Sequence, residues 1–288
     1  MTASRVTMSA PQFKQLSEII YKRAGIHFPE SKKYILESRL SQRLRELDIE
    51  DFDQYIMYLT MGPYQSDEFQ EMFNRVTINE TSFFRNEPQL DVFENHVLPE
   101  LLEARASSKR LRVWSAACSS GEEPFTLAMQ LDRSLGARLS DWTIEILGTD
   151  ISEKALNVAN AGVYSDYALR TTSDLIKSRY FKQVGATWEL DPKIRQMVRF
   201  ELHNLKDRLA AKRHGTWDVI FCRNVMIYFD DEMKRQVVGT FFDQLAPDGT
   251  LFIGHSESIR EVGTQFEALS VPQAFAYRPL SSVAKLAA

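Results

Sequence analysis

Three apolar runs, each ending abruptly in polar residues and each followed by a helical segment, constrain this chain more than any other feature. They are LRVWSAA (111–117), WTIEILGTD (142–150) and WDVIFCRN (217–224). Short apolar runs bounded by turn residues read as buried strands. Helices are expected from near Glu123, over SEKALNVANAG and around 232–246, and PDG then leads into a strand, TLFIGHSE (250–257). A last strand is expected within QAFAYRP (273–279). Strands alternating with helices give an α/β fold, a mostly parallel, doubly wound sheet with helices on both faces. Residues 163–203 interrupt the alternation: SDLIKSRYF reads as a helix, and TWELDPKIRQMVRFEL as a hairpin turning at DPK. That stretch is read as a small β insertion.

The N-terminal part follows a different pattern. In KKYILESRLSQRLREL, Leu36, Leu40, Leu44 and Leu47 form one helical stripe, and Phe69, Met72, Phe73 and Val76 repeat the spacing. Breaks fall at HFPES, LDIEDF and MGPYQS, where Gly, Pro and Asp punctuate the helices. The domain reading is therefore 1–77 as a small all-helical domain, 78–90 as a linker, and 91–288 as the sheet domain with its insertion at 163–203.

Composition removes several classes of function. With 35 basic against 39 acidic residues in 288, the net charge is −4, which argues against a protein that lives on nucleic-acid phosphates. No apolar run approaches the ~18 residues needed to span a bilayer, so no membrane insertion is expected. The start, MTASRVTMSAPQF, lacks the apolar core of a secretory signal. Two cysteines, Cys118 and Cys222, make neither a disulfide framework nor a four-ligand zinc site, and they read as small buried hydrophobes. A metal-free, cytoplasmic monomer is the expectation.

In open α/β sheets the ligand lies beyond the carboxyl ends of the strands. The residues there are Ser115 to Glu123, Asp150, Asn204, Arg223 and Asn224. SAACSSGEEP has one glycine, Gly121, and so is no dinucleotide fingerprint; its small side chains serve close ligand approach or simply tight packing. Glu122 and Glu123 interact favourably with a helix N-terminus, yet would repel a pyrophosphate and welcome a cationic ligand. Asp150 is placed either to accept ribose hydroxyls or to cap the next helix. Ribose and a positive group together suggest S-adenosylmethionine.

Several segments then carry a family resemblance. NETSFFRNEPQ (79–89), VWSAACSSGEEPFTLA (113–128), GTDIS (148–152), HNL (203–205) and FCRNVMIYF (221–229) resemble, in that order, the CheR-type chemotaxis-receptor glutamate methyltransferases. GTLFIGHSES, QAFAYR and the N-terminal YKRAGIHF resemble the same family, so the likeness covers nearly the whole chain. It implies a Rossmann-like domain that binds S-adenosylmethionine and releases S-adenosylhomocysteine. It implies Asn79, Thr81 and Arg85 in the ligand pocket, Glu123 at the methionine end, Asp150 at the ribose, and Asn204 with Leu205 beside the adenine. Arg223 and Asn224 complete the pocket, and Tyr228 faces the methyl group with Arg85. Phe83 and Phe84 are expected to pack, as are Met226 and Ile227.

The implied chemistry suits these residues. A glutamate with a pKa near ~4.3 is already ionised at neutral pH, so methyl transfer to it needs no general base. None of His27, His96, His203, His214 and His255 needs a catalytic role. Alignment of the reacting atoms can supply ~7–11 kcal/mol. The substrate implied is the cytoplasmic methylation region of chemoreceptors. Lys32, Arg39 and Arg43 form a basic stripe that either docks those acidic helices or is a solvated face. FKQVGATWELDPKIRQMVRF is too compact to suggest a grip on a receptor's C-terminal tether peptide. An adaptor that binds the cofactor as a mere ligand is disfavoured by the presence of Arg85, Tyr228 and Asp150. An NAD-dependent oxidoreductase is disfavoured by the missing Gly-x-Gly.

Overall fold

Leu36, Leu40 and Leu44 are fully buried, and they centre a helical core with Leu16, Ile20, Phe52, Tyr55 and Met72. The computed structural model of the chain describes residues 6–62 and 65–280. Its N-terminal part packs α1 (Ala10–Ala24), α2 (Lys33–Glu46), α3 (Phe52–Met61) and α4 (Gln65–Val76). A capping box between Ser9 and Gln12 starts α1, and Gly25 ends it in the left-handed region at φ +72°. The short helices α5 (Glu87–Val92) and α6 (Leu98–Ala104), joined by a π-helical turn over 93–97, lead into the sheet.

The sheet domain runs β1 (Arg110–Ala116), α7 (Glu122–Leu135), β2 (Thr143–Asp150), α8 (Glu153–Ala161), β3 (Val163–Ser165), α9 (Asp174–Tyr180), β4 (Phe181–Val184), β5 (Thr187–Leu190) and α10 (Pro192–Gln196). It continues with β6 (Val198–Leu202), α11 (Arg208–Lys212), β7 (Trp217–Cys222), α12 (Asp231–Gln244), β8 (Leu245–Ile253), β9 (Phe266–Ala268) and β10 (Ala276–Pro279). The main sheet has the order β6-β2-β1-β7-β8-β10-β9. Pairing is parallel from β6 to β8 and antiparallel for β10 and β9.

Alternation along each strand divides the core in two. Val113, Ile146, Val219, Phe221 and Phe252 face one layer with Phe125 of α7. Trp114, Leu147, Ile220, Leu251 and Ile253 face the other, with Val238 and Phe241 of α12. This is the doubly wound architecture. Strand order reverses between β1 and β7, which is where a crevice opens in such sheets.

Two expectations are corrected. The stretch expected to turn back at DPK is not a hairpin: Asp191 accepts a hydrogen bond from Lys193 N and starts α10, and β6 then joins the main sheet beside β2. The real hairpin is β4–β5, turning at Gly185, and β3 completes a separate sheet in the order β3-β5-β4. Proline at a helix start is as favourable as proline in a turn, so DPK alone did not distinguish them. PDG, in turn, does not precede the eighth strand but lies within it, at a register shift between the pairs Trp217–Leu245 and Val219–Thr250. Among the described residues, no helix is long and apolar enough to cross a membrane.

Candidate active site

The loops that leave β1, β2, β6 and β7 at their carboxyl ends surround one pocket, closed from above by residues 76–85 and by the N-terminal domain. Much of this backbone is strained. Non-glycine residues sit at positive φ at Ala117, Ser119 and Asn224 in these loops, and at Phe84 and Asn86 where the covering segment runs into α5. Such conformations persist only where the surroundings over-determine them, and they concentrate at functional sites.

Asp150 ends β2 and is 6% exposed. Its Oδ2 accepts from Ser119 N (2.7 Å) and its Oδ1 from Ser152 N (2.8 Å). The cap of α8 is Ser152, whose hydroxyl accepts from Ala155 N, so the capping alternative for Asp150 is removed. A carboxylate has about four lone-pair sites, so two backbone amides leave room for two ligand hydroxyls. Burial pushes the Asp150 pKa up, against the opposing effect of the amides.

The glutamate pair divides its roles. Glu122 lies outside the pocket, buried against the Ser120 hydroxyl (2.8 and 3.0 Å), and burial raises its pKa to about 7. Glu123 lines the pocket; its Oε1 accepts from the Ser115 hydroxyl (2.6 Å) and its Oε2 pairs with Arg223 (3.1 Å). Of the pair expected to welcome a cationic ligand, only Glu123 reaches the pocket, and there it is already paired with Arg223. Burial lowers the Arg223 pKa, and Glu123 opposes that shift. Arg223 Nη2 also donates to Arg85 O (2.6 Å), tying the β7 loop to the segment over the pocket.

Arg85 and Tyr228 both line the pocket, with Arg85 Nη1 donating to Glu80 O (2.9 Å). Burial raises the Tyr228 pKa and the charges of Arg39 and Arg85 oppose it, so the phenol is a neutral donor at neutral pH. Lys32 Nζ lies 6.0 Å from the Tyr228 ring centre. The helical domain is fastened at the same place. His27 N donates to Tyr228 O (2.8 Å), Asn204 Nδ2 to Arg23 O (2.7 Å), and Lys206 Nζ to Tyr21 O and Lys22 O (2.9 and 2.8 Å). A cation on the last carbonyls of α1 is the favourable end of the helix dipole.

The pocket brings together Lys32, Asn79, Thr81, Arg85, Glu123, Asp150, Asn204, Leu205, Arg223, Asn224 and Tyr228. Arg39 and Arg43 do not line it. Arg39 Nη1 donates to the α4 end at Val76 O and Thr77 O (2.7 and 2.9 Å), and Arg43 pairs with buried Glu68 (2.7 Å), which also accepts from the Tyr55 hydroxyl. Both half-buried guanidiniums thus have partners within the helical domain, Arg43 also reaching Glu46 (3.3 Å). Phe83 packs edge-on against Tyr164 and Phe181; Met226 is buried, but Ile227 is 49% exposed, contrary to expectation. Sequence reasoning missed His203, whose burial beside Trp114 lowers its pKa to about 4, and the wall formed by Ile26, Phe28 and Ile35. The histidine stood beside the expected Asn204, but nothing in its spacing marked it. Burial raises both thiols well above their ordinary value, Cys118 in the pocket wall and Cys222 behind it. Among the described residues no cluster could hold a metal ion.

Residues 79–275 match the CheR methyltransferase SAM-binding domain, and residues 11–77 match the CheR methyltransferase all-alpha domain. The chain belongs to the CheR methyltransferase family. Similar proteins include chemotaxis protein methyltransferase 2 of Vibrio cholerae, 35% identical over 264 residues, covering 91% of each chain. The chemotaxis protein methyltransferase of Escherichia coli is 36% identical over 269 residues, covering 91% of this chain and 89% of that one. Chemotaxis protein methyltransferase 1 of Pseudomonas aeruginosa is 34% identical over 271 residues, covering 92% and 97%. This CheR chain is a methyltransferase of chemotaxis that uses S-adenosylmethionine. Its two family domains meet at the pocket, where His27 and Tyr228 are joined.

Proposed function

We propose that this protein methylates specific glutamate side chains in the cytoplasmic methylation region of chemoreceptors, forming glutamate methyl esters for sensory adaptation. The observation that supports this most is the meeting of Arg85, Tyr228 and Lys32 in the pocket that also holds Asp150 and Glu123. A cationic and hydrogen-bonding mouth suits an anionic acceptor, and a buried carboxylate suits a ribose.

When bound, S-adenosylmethionine supplies an electrophilic methyl on a positively charged sulfur and is left as neutral S-adenosylhomocysteine. An ionised acceptor carboxylate would bring its own lone pair to that methyl, so no residue of this chain has to move a proton. Asp150 would hold the ribose hydroxyls. Glu123, kept in place by Ser115 and Arg223, would face the methionine end, and Asn204 with Leu205 would flank the adenine. Arg85 and Tyr228 align the acceptor rather than activate it. A tight bidentate pair with Arg85 would weaken the nucleophile, so orientation is its role. Asn79, Thr81 and Asn224 complete the wall. His203, neutral because of its depressed pKa, adds no competing charge.

Substrate docking is placed on the helical domain beside Lys32, in the cytoplasm, and not on the three-stranded sheet. Transfer of labelled methyl to receptor cytoplasmic fragments tests the reading, with Arg85→Ala as control. Transfer should occur with wild type, fall at least tenfold with the variant, and hardly change when the receptor's C-terminal tail is removed. No transfer to any receptor fragment by folded wild type would overturn it.

A further inference from the structure

The β7–β8 ladder ends at the pair Cys222–Ile253. Beyond it the strands part, and two backbone N–H groups, of Asn224 and Gly254, need new acceptors. Both donate to a single oxygen, Oε2 of Glu257, at 3.0 and 2.6 Å. Glu257 is 9% exposed and is held above the crevice end of β8 by a tight turn in which its own N donates to Gly254 O (2.9 Å). Glycine is required at 254, because an added Cβ would lie 2.6 Å from Oε2 and 2.9 Å from Asn224 N.

Asn224 is the residue this arrangement fixes. It sits at φ +59°, a conformation costly for a residue with a side chain, between Arg223 and the short turn that carries Tyr228. Without an acceptor for its N–H, that turn would relax and move Arg223 and Tyr228 together. We propose that Glu257, which does not line the pocket, is a positioning residue for methyl transfer: its carboxylate takes over where the β7–β8 ladder stops and sets the geometry of Arg223, Asn224 and Tyr228. Its other oxygen, Oε1, is buried with no hydrogen-bond partner among the described residues, so the carboxylate is not held by a direct ion pair. What the site needs from Glu257 is reach and an acceptor, not a full charge. This rests on the reading of Arg223 and Tyr228 as parts of the methyl-transfer site.

Two substitutions separate reach from charge. Glu257→Gln keeps an acceptor oxygen at full length and loses the charge. Glu257→Asp keeps the charge and falls one methylene short of the two amides. Methylation of a receptor fragment, affinity for S-adenosylhomocysteine and thermal unfolding are measured for both. Glu257→Gln should retain at least half of the wild-type kcat, while Glu257→Asp should lose about tenfold in kcat with a folded chain, since a misplacement near ~1 Å can cost up to 10²-fold. Receptor KM should change less than kcat in Glu257→Asp. The reverse order, or wild-type kcat in both, overturns the proposal. If Glu257→Asp does not fold, Glu257→Ala, which removes the acceptor, takes its place: wild-type kcat in Glu257→Ala or tenfold loss in Glu257→Gln overturns the proposal, and a tenfold loss in Glu257→Ala with retained kcat in Glu257→Gln supports it. An inactive wild type would instead indict the methyl-transfer reading itself.

Discussion

Arg223 and Glu123, one hundred residues apart in the chain, form an ion pair of 3.1 Å in which the side chains are only 4% and 13% exposed. Removing one partner of a buried pair leaves an uncompensated charge, at a cost of about 3–5 kcal/mol. Glu123→Gln should therefore lower unfolding stability by about 3 kcal/mol in urea and weaken S-adenosylmethionine binding in calorimetry at least tenfold. Stability equal to wild type would show that Arg223 is held by other means.

Glu122 gives a pH dependence with a definite sign. Its pKa rises from an ordinary 4.5 to about 7 on folding, so the native state holds a proton that the unfolded chain has lost across that window. Stability is then greatest below about 4.5 on account of this group and falls as pH rises through about 7. Glu122→Gln should remove that decline and be the more stable protein at pH 8, by up to about 3 kcal/mol at 1.36 kcal/mol per pKa unit. Parallel pH profiles for wild type and variant would contradict the assignment.

Arg43 and Lys32 should behave differently, although both were expected on one docking stripe. Arg43→Glu places a second carboxylate against buried Glu68 and Tyr55, and should unfold or destabilise the helical domain by about 3 kcal/mol or more. Lys32→Glu should keep wild-type stability, raise the receptor KM and reduce the salt dependence of methylation, because exposed charge pairs are screened over ~8–10 Å. Equal effects of the two substitutions on melting temperature would argue against this separation.

The latch between the domains has its own signature. Lys206→Met removes a cation from the α1 carbonyls of Tyr21 and Lys22. That contact is on the scale of ~0.3–1 kcal/mol, so a small fall in melting temperature is expected together with a few-fold weaker affinity for S-adenosylmethionine. Hydrogen exchange at the end of α1 should quicken, and unchanged exchange there would refute the coupling.

What the sequence made legible follows from which signals are local. The leucines of α2 and the apolar runs of β1, β2 and β7 repeat at fixed spacing, so burial could be read from them directly. Polar residues at the ends of those strands could be placed in the crevice, because an open parallel sheet opens only there. Partnerships across the fold could not be read. Arg39 and Arg43 look solvent-facing on a helical wheel, yet α4 covers them and supplies Thr77 O and Glu68 as partners. Glu122 and Glu123 are adjacent in sequence and diverge because successive helix positions point about 100° apart. DPK fits a turn and a helix start equally, and only the place of β6 in the main sheet decides between them. Glu257 carried no signal, since its role depends on two strands parting.

Base treatment of labelled receptor tests the central claim most directly. A receptor fragment methylated with labelled S-adenosylmethionine is exposed to mild alkali, and volatile label is counted beside peptide mapping. Carboxylate esters hydrolyse under these conditions and release methanol, whereas methyl groups on nitrogen do not. Most of the label should be released as methanol, it should map to glutamate side chains, and Arg85→Ala should abolish most of it. Alkali-stable label on lysine or arginine, or undiminished ester formation by Arg85→Ala, would contradict the account.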